Sequence, residues 1–137
     1  MRLTVAQRQA VYTRSNGCCE YCRISQLDAT SSFHIDHIRP VKHGGSNESD
    51  NLCLACYQCN RYKGSNYAAA DPQTDLPTFL FHPRQQQWNE HFELQVNFSL
   101  SGLTPAGRAT VVVLRMNDAP RLKYRRFAQL MGEYPCY

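Results

Sequence analysis

No stretch of this chain approaches the roughly 18 uninterrupted apolar residues that a membrane helix needs, and the sequence predicts no membrane partner. The opening residues, MRLTVAQRQAVYTRS, lack the apolar core of a secretory signal. The expectation is a cytoplasmic protein. Charged residues are only 19% of the chain, which excludes a charge-rich disordered tail. There is no internal repeat and no low-complexity tract. Lysine is scarce, with three against twelve arginines. The arginine fork suits phosphates and guanine edges, yet a net charge of +4 is too mild to argue a polyanionic partner by itself.

What is present fits one folded domain over residues 1–137: aromatics reach 11%, enough for a core. Seven cysteines occur, and six lie between Cys18 and Cys59. In a reducing compartment disulfides are rare, so clustered cysteines read as metal ligands.

Hydrophobic spacing at Leu3, Ala6, Ala10 and Val11 predicts a helix, with Thr4 as its cap and Gln7 completing a capping box. FHID at 33–36 alternates and predicts a strand, with Phe33 and Ile35 facing the core and His34 and Asp36 on the other face. A loop, RPVKHGGSNESD, follows. NLCLA predicts a second short strand, and NRYKGS a helix ending near Gly64. Residues 65–78 read as a connector. Beyond it, Thr104 with Pro105 predicts a helix start, and Pro120 opens another.

Cys19-x2-Cys22 and Cys56-x2-Cys59 are two tight-turn thiolate pairs. Together they supply the four soft ligands of a closed, structural Zn²⁺ site. Cys18 is a less regular substitute for Cys19. Cys53 is expected in the core, and Cys136 is expected as a free thiol. Four thiolates and one Zn²⁺ reduce the charge of +4 to about +2. Local basic residues, not global charge, must therefore argue for nucleic acid.

From the first strand onward runs FHIDHIRPVKHGGSNESDNLCLACYQCNRYKG. Its elements CEYC, IDHI-x-P, GG, DNL, CYQC and N-x-x-KG fall in order over residues 14–64. This pattern resembles the HNH endonuclease family, in its branch with a four-cysteine zinc. The segments LFHPRQQQWNEHF and GLTPAGRATVVVLRMN resemble an extension carried by some free-standing bacterial members. The resemblance implies an α+β fold: a ββα-metal (treble-clef-like) HNH finger over residues 14–64. A strand-and-helix extension over residues 79–137 is expected to pack on it.

The implied activity is metal-dependent hydrolysis of DNA phosphodiester bonds. Such chemistry needs an activated water and neutralisation of the phosphorane. His37 would be the general base, since imidazole titrates near neutrality. Asp36 and Asn60 would hold one catalytic divalent ion. Other members carry histidine at the last position, and asparagine there favours Mg²⁺ or Mn²⁺. Asn51 would fix the loop and orient His37. Arg39, Arg61 and Lys63 are candidate phosphate contacts. The expected partner is double-stranded DNA. One active site nicks one strand, so cutting both needs a homodimer or two events. The rival reading is a zinc module that binds nucleic acid without catalysis.

Other residues stay open between two readings. His34 either touches a phosphate or is a solvated edge residue. His43 reads as a loop contact, and His82 and His91 as packing residues. The run Arg121, Lys123, Arg125 and Arg126 either tracks a DNA backbone or is a solvated helix face.

Overall fold

Thr4 opens the first helix, α1 (Val5–Ser15), by the expected device. Its hydroxyl accepts from the Gln7 N–H while the Gln7 side chain accepts from the Thr4 N–H, satisfying two orphan donors at once. The structure, a computed structural model, describes residues 2–137. Asn16 ends α1 in the left-handed conformation, and the first cysteine knuckle follows immediately.

Strands β1 (His34–His37) and β2 (Leu52–Ala55) pair antiparallel, with Asp36 opposite Cys53 and His37 opposite Leu52. Every β2 residue is buried. Helix α2 (Tyr57–Lys63) starts directly after β2. Cys56 is its N-cap, its sulfur accepting the Cys59 N–H, and Gly64 terminates it. The zinc knuckle and the helix start are thus one turn of chain. Arg14 of α1 donates to the carbonyls of Ser49 and Leu52, which seats α1 against the entry to β2.

Residues 65–78 are not the plain connector the sequence predicts. They form a hairpin of β3 (Ala68–Ala70) and β4 (Pro77–Phe79). Asp71 closes its turn, accepting from the Gln73 N–H and the Thr74 hydroxyl, while Arg108 grips both carboxylate oxygens at 2.9 and 2.8 Å. A buried carboxylate with its hydrogen bonds satisfied orders a turn that a polar, proline-containing string does not reveal. This bidentate grip, ahead of its other contacts, holds the Asp71 carboxyl well below the usual carboxylate range.

The remaining elements are α3 (Trp88–His91), β5 (Phe92–Leu94), β6 (Leu100–Gly102), α4 (Pro105–Val113) and α5 (Ala119–Leu130). β5 and β6 form a third two-stranded antiparallel sheet. Thr104 caps α4 with Pro105 in its first turn, as expected. Gly102 and Gly107 are required where α4 crosses β6. A Cβ on Gly107 would lie 2.1 Å from the His91 carbonyl oxygen.

Residues after 79 touch the first knuckle at several points. Trp88 Nε1 donates to the Tyr21 carbonyl at 2.7 Å, and the Tyr134 hydroxyl to the Cys22 carbonyl at 2.7 Å. Arg84 pairs with the buried Glu20. A disulfide joins Cys18 to Cys136, which corrects the expected free thiol at Cys136. It also explains why Cys18 stands outside the metal cluster beside it.

The basic run of α5 is a second correction. Arg121 and Arg125 are 6% and 2% exposed, so they cannot line a DNA backbone. Arg125 donates to the carbonyls of Phe98 and Met116. Arg121 donates to the Leu114 carbonyl and to the Cys59 sulfur. Both guanidiniums tie loops and helix together, and only Lys123 and Arg126 of the run are exposed.

Candidate functional site

The two knuckles bring Cys19, Cys22, Cys56 and Cys59 together, all buried, with their sulfurs within 4.8 Å of one another. A tetrahedron with Zn–S arms of about 2.3 Å has edges of about 3.8 Å. The Cys22 and Cys56 sulfurs lie 3.7 Å apart. The donor set and its spacing therefore fit Zn²⁺ with no coordination position left open. Backbone N–H groups of Cys22 and Cys59 point at the sulfurs of Cys19 and Cys56, and Arg121 Nη2 lies 2.9 Å from the Cys59 sulfur. Four thiolates around one Zn²⁺ carry a net charge of about −2, and a buried guanidinium offsets part of it. Hydrogen bonding with Cys19 pulls the Cys22 thiol down, whereas burial pushes Cys19 and Cys59 up.

The knuckle is also hydrogen-bonded to the strand that leads into α2. Glu20 N–H donates to the Leu54 carbonyl, and the Glu20 carboxylate accepts the Leu54 N–H at 2.6 Å. Tyr21, the next knuckle residue, sends its hydroxyl to Asp36 Oδ2 at 2.7 Å. The two CxxC turns and the end of β1 are thereby one hydrogen-bonded unit.

Asp36 is buried at 5% exposure. The expected division of β1 into two faces therefore needs revision. Tyr21 and Lys63 cover the face on which Asp36 lies, while His34 on the same strand is exposed. Lys63 Nζ is 3.0 and 3.3 Å from the two Asp36 oxygens and donates to the His37 carbonyl at 3.0 Å. Lys63 itself is 1% exposed. It is therefore not the surface phosphate contact expected from sequence. Burial pushes the Asp36 carboxyl up, and Lys63 opposes that shift.

His37 is half-buried at the end of β1. Its Nε2 lies 2.7 Å from the Asn47 side-chain oxygen. An amide oxygen can only accept, so Nε2 is the donor in this pair, and in the neutral imidazole Nδ1 then keeps the lone pair. The Asn51 side chain makes no hydrogen bond to the His37 ring. It clamps the loop from inside, with Oδ1 accepting the Arg39 N–H and Nδ2 donating to the Arg39 and Ser46 carbonyls. Its own carbonyl accepts the Ile38 N–H. Asn51 thus fixes the loop that carries Asn47, and Asn47 holds the ring. Gly45 is obligatory here, since a Cβ would overlap the Arg39 carbonyl oxygen.

Asn60 sits on α2 three residues before Lys63, hence on the same helix face. Its backbone completes the helix, and its amide makes no side-chain hydrogen bond among the described residues. Arg39 and Arg61 are exposed. Arg39 Nε donates to the His43 carbonyl, and Arg61 lies near the Tyr57 hydroxyl.

Sequence reasoning missed Asn47, Tyr21, Arg121 and the Cys18–Cys136 bond. Asn47 stands in a polar loop where nothing separates it from Ser46 or Glu48. Tyr21 and Arg121 owe their roles to contacts at sequence separations of 15 and 62, and neither carries a local signal.

Comparison with known proteins points the same way. Residues 19–66 match the family model for HNH endonuclease, the segment that holds both knuckles, β1, β2 and α2. That segment is similar to the HNH family and lies within a small α+β protein. A curated relative, the Septu protein PtuB of Bacillus thuringiensis, is 28% identical over 119 residues, covering 85% of this chain and 43% of that protein. The chain thus spans less than half of that relative's length. No solved structure matches. No described helix is long and apolar enough to cross a membrane.

Proposed function

We propose that this protein hydrolyses DNA phosphodiester bonds, using a zinc-stapled ββα-metal finger built from β1, β2 and α2. The observation that carries the reading is His37. Its ring is half-exposed at a strand end and oriented through Nε2 by Asn47, which in the neutral imidazole leaves the Nδ1 lone pair to take a proton. A ring held in one tautomer beside a buried carboxylate–ammonium pair suits a general base that takes a proton from water.

Asp36 and Asn60 offer the hard oxygen donors that Mg²⁺ or Mn²⁺ takes. The donor types suit such an ion, which would have to displace the Lys63 ammonium from the Asp36 carboxylate. When bound there, a divalent ion supplies charge stabilisation to the pentavalent phosphate. The chain's own contribution is positional. Asn51 and Gly45 close the loop, Asn47 fixes the imidazole, and Tyr21 and Lys63 hold Asp36 at the strand end. Exposed Arg39 and Arg61 are the basic contacts for the DNA backbone. One site per chain nicks one strand, and a homodimer would serve both.

The Asp36–Lys63 pair favours one alternative, a zinc module that binds nucleic acid with Asp36 as a structural anion. Nicking of supercoiled plasmid by zinc-loaded protein with Mg²⁺ or Mn²⁺ separates the two, read beside a His37→Ala variant that retains zinc. The wild type is expected to nick and the variant to fail. Equal nicking by both removes His37 as the base. A folded, zinc-loaded wild type that binds DNA without nicking supports the alternative.

A further inference from the structure

A second feature lies beside the loop that carries Asn47. A groove of about 610 Å³ separates the Gly44–Gly45 loop from the chain after β4. Ile38, Asn51, Phe79, His82 and Gln85 are among the residues that line it. Tyr67 stands in its wall at the centre of a ring cluster. Phe79 stacks on it at 6.0 Å with an interplanar angle of 19°, His43 tilts against it at 5.3 Å, and the Arg39 guanidinium lies 5.8 Å from its centroid.

We propose that this groove seats one unpaired base of the DNA substrate, stacked on Phe79. The proposal rests on the nuclease reading and adds a substrate class: DNA with an unpaired or extruded base near the cleaved bond. Phe79 is 71% exposed although it is paired within a hairpin, so beyond its stack on Tyr67 its ring is open to the solvent. Aromatic faces of this kind take bases of any sequence, because every base has a π-face. A base inside a duplex has both faces covered by its neighbours, so an interior base must leave the duplex to stack here. The groove also carries edge-reading groups. The Gln85 amide makes no side-chain hydrogen bond among the described residues. Gln86 spends its oxygen on the His82 N–H and keeps its NH2 group as a donor.

Charge agrees with this occupant. Arg39 commits only Nε, to the His43 carbonyl, and its terminal nitrogens stay available for a phosphate at the rim. Asp50 and Lys63 both line the groove, and Lys63 is spent on Asp36, so the Asp50 carboxylate disfavours a free anion there and tolerates a neutral base. Ile38 directly follows His37, so a base held here places its strand at the end of β1 that bears the candidate general base.

The test uses 2-aminopurine, whose fluorescence is quenched by stacking, placed in a single-stranded oligodeoxynucleotide or paired within the duplex. Zinc-loaded His37→Ala protein is the parent, so that the strand stays intact. The expected result is a binding-dependent fluorescence change on the single strand and none on the duplex. Phe79→Ala should lose that change and weaken single-strand binding about tenfold, and Phe79→Trp should restore both. Circular dichroism and zinc content report folding of each variant. Equal affinity of Phe79→Ala and its parent overturns the proposal, as does an equal fluorescence change for paired and unpaired bases. Plasmid nicking by the His37-intact protein is scored separately. Nicking without the fluorescence change removes the base seat and leaves the nuclease. The fluorescence change without nicking keeps the seat and removes the nuclease.

Discussion

Replacing Lys63 by methionine removes the one ammonium that faces Asp36. The side chains of Lys63 and Asp36 are 1% and 6% exposed, so water cannot enter cheaply to solvate the stranded carboxylate. Tyr21 would still donate to Oδ2, but the charge would be uncompensated. Removing one partner of a buried pair costs about 3–5 kcal/mol, a large share of the roughly 5–15 kcal/mol that holds a domain folded. Urea unfolding of zinc-loaded protein at pH 7 reads this directly, followed by the fluorescence of the single, buried Trp88. The deficit has a predicted pH dependence. Without Lys63 the folded-state pKa of Asp36 rises further above its unfolded value. The folded state then binds the extra proton, and the variant regains stability as pH falls toward 5. Adding Asp36→Asn should recover part of the loss at pH 7, because no buried charge is then left unpaired. A Lys63→Met cost below about 1 kcal/mol, or a double variant that costs the sum of the singles, refutes the argument.

Four further outcomes follow from the same geometry. Stripping the metal with a chelator should unfold residues 14–64, since zinc binding energy in such modules is folding energy. Arg121→Met should weaken zinc affinity about 10–100-fold by removing the donor to the Cys59 sulfur, read by competition with a metallochromic dye. Cys136→Ser opens a loop spanning 118 residues and should cost about 2–4 kcal/mol, measured by urea unfolding with zinc held saturating. Asp71, held below its usual pKa by Arg108, contributes stability above about pH 4 that is lost as pH falls through its folded pKa. Asp71→Asn should therefore lower stability at pH 7 and flatten the acid limb of the pH–stability profile.

Much of the site core was legible because its signals are local. A CxxC turn is complete within four residues, and it presents both thiolates whatever lies around it. The capping box at Thr4, the caps at Thr104 and Gly64, and the alternation around His34–His37 are likewise settled by neighbours in the chain. The spacing of Asp36, His37, Asn51 and Asn60 marked one connected segment, and the family match falls on the same residues.

The tertiary structure decided which charges are free to act. Lys63, Arg121 and Arg125 read as surface cations, because sequence shows a charge and not its burial. Each is instead drawn inward by an anion, a thiolate or a carbonyl supplied from 27 or more residues away. The hairpin at Ala68–Phe79 needed Arg108 to hold Asp71, and the partner of Cys18 lay at the opposite end of the sequence. A helix cap is satisfied within one turn of chain and each CxxC pair is formed there, so the sequence determined those alone. The partner of a buried ion is chosen by whatever the fold brings within about 3 Å, and only the packed chain determines that.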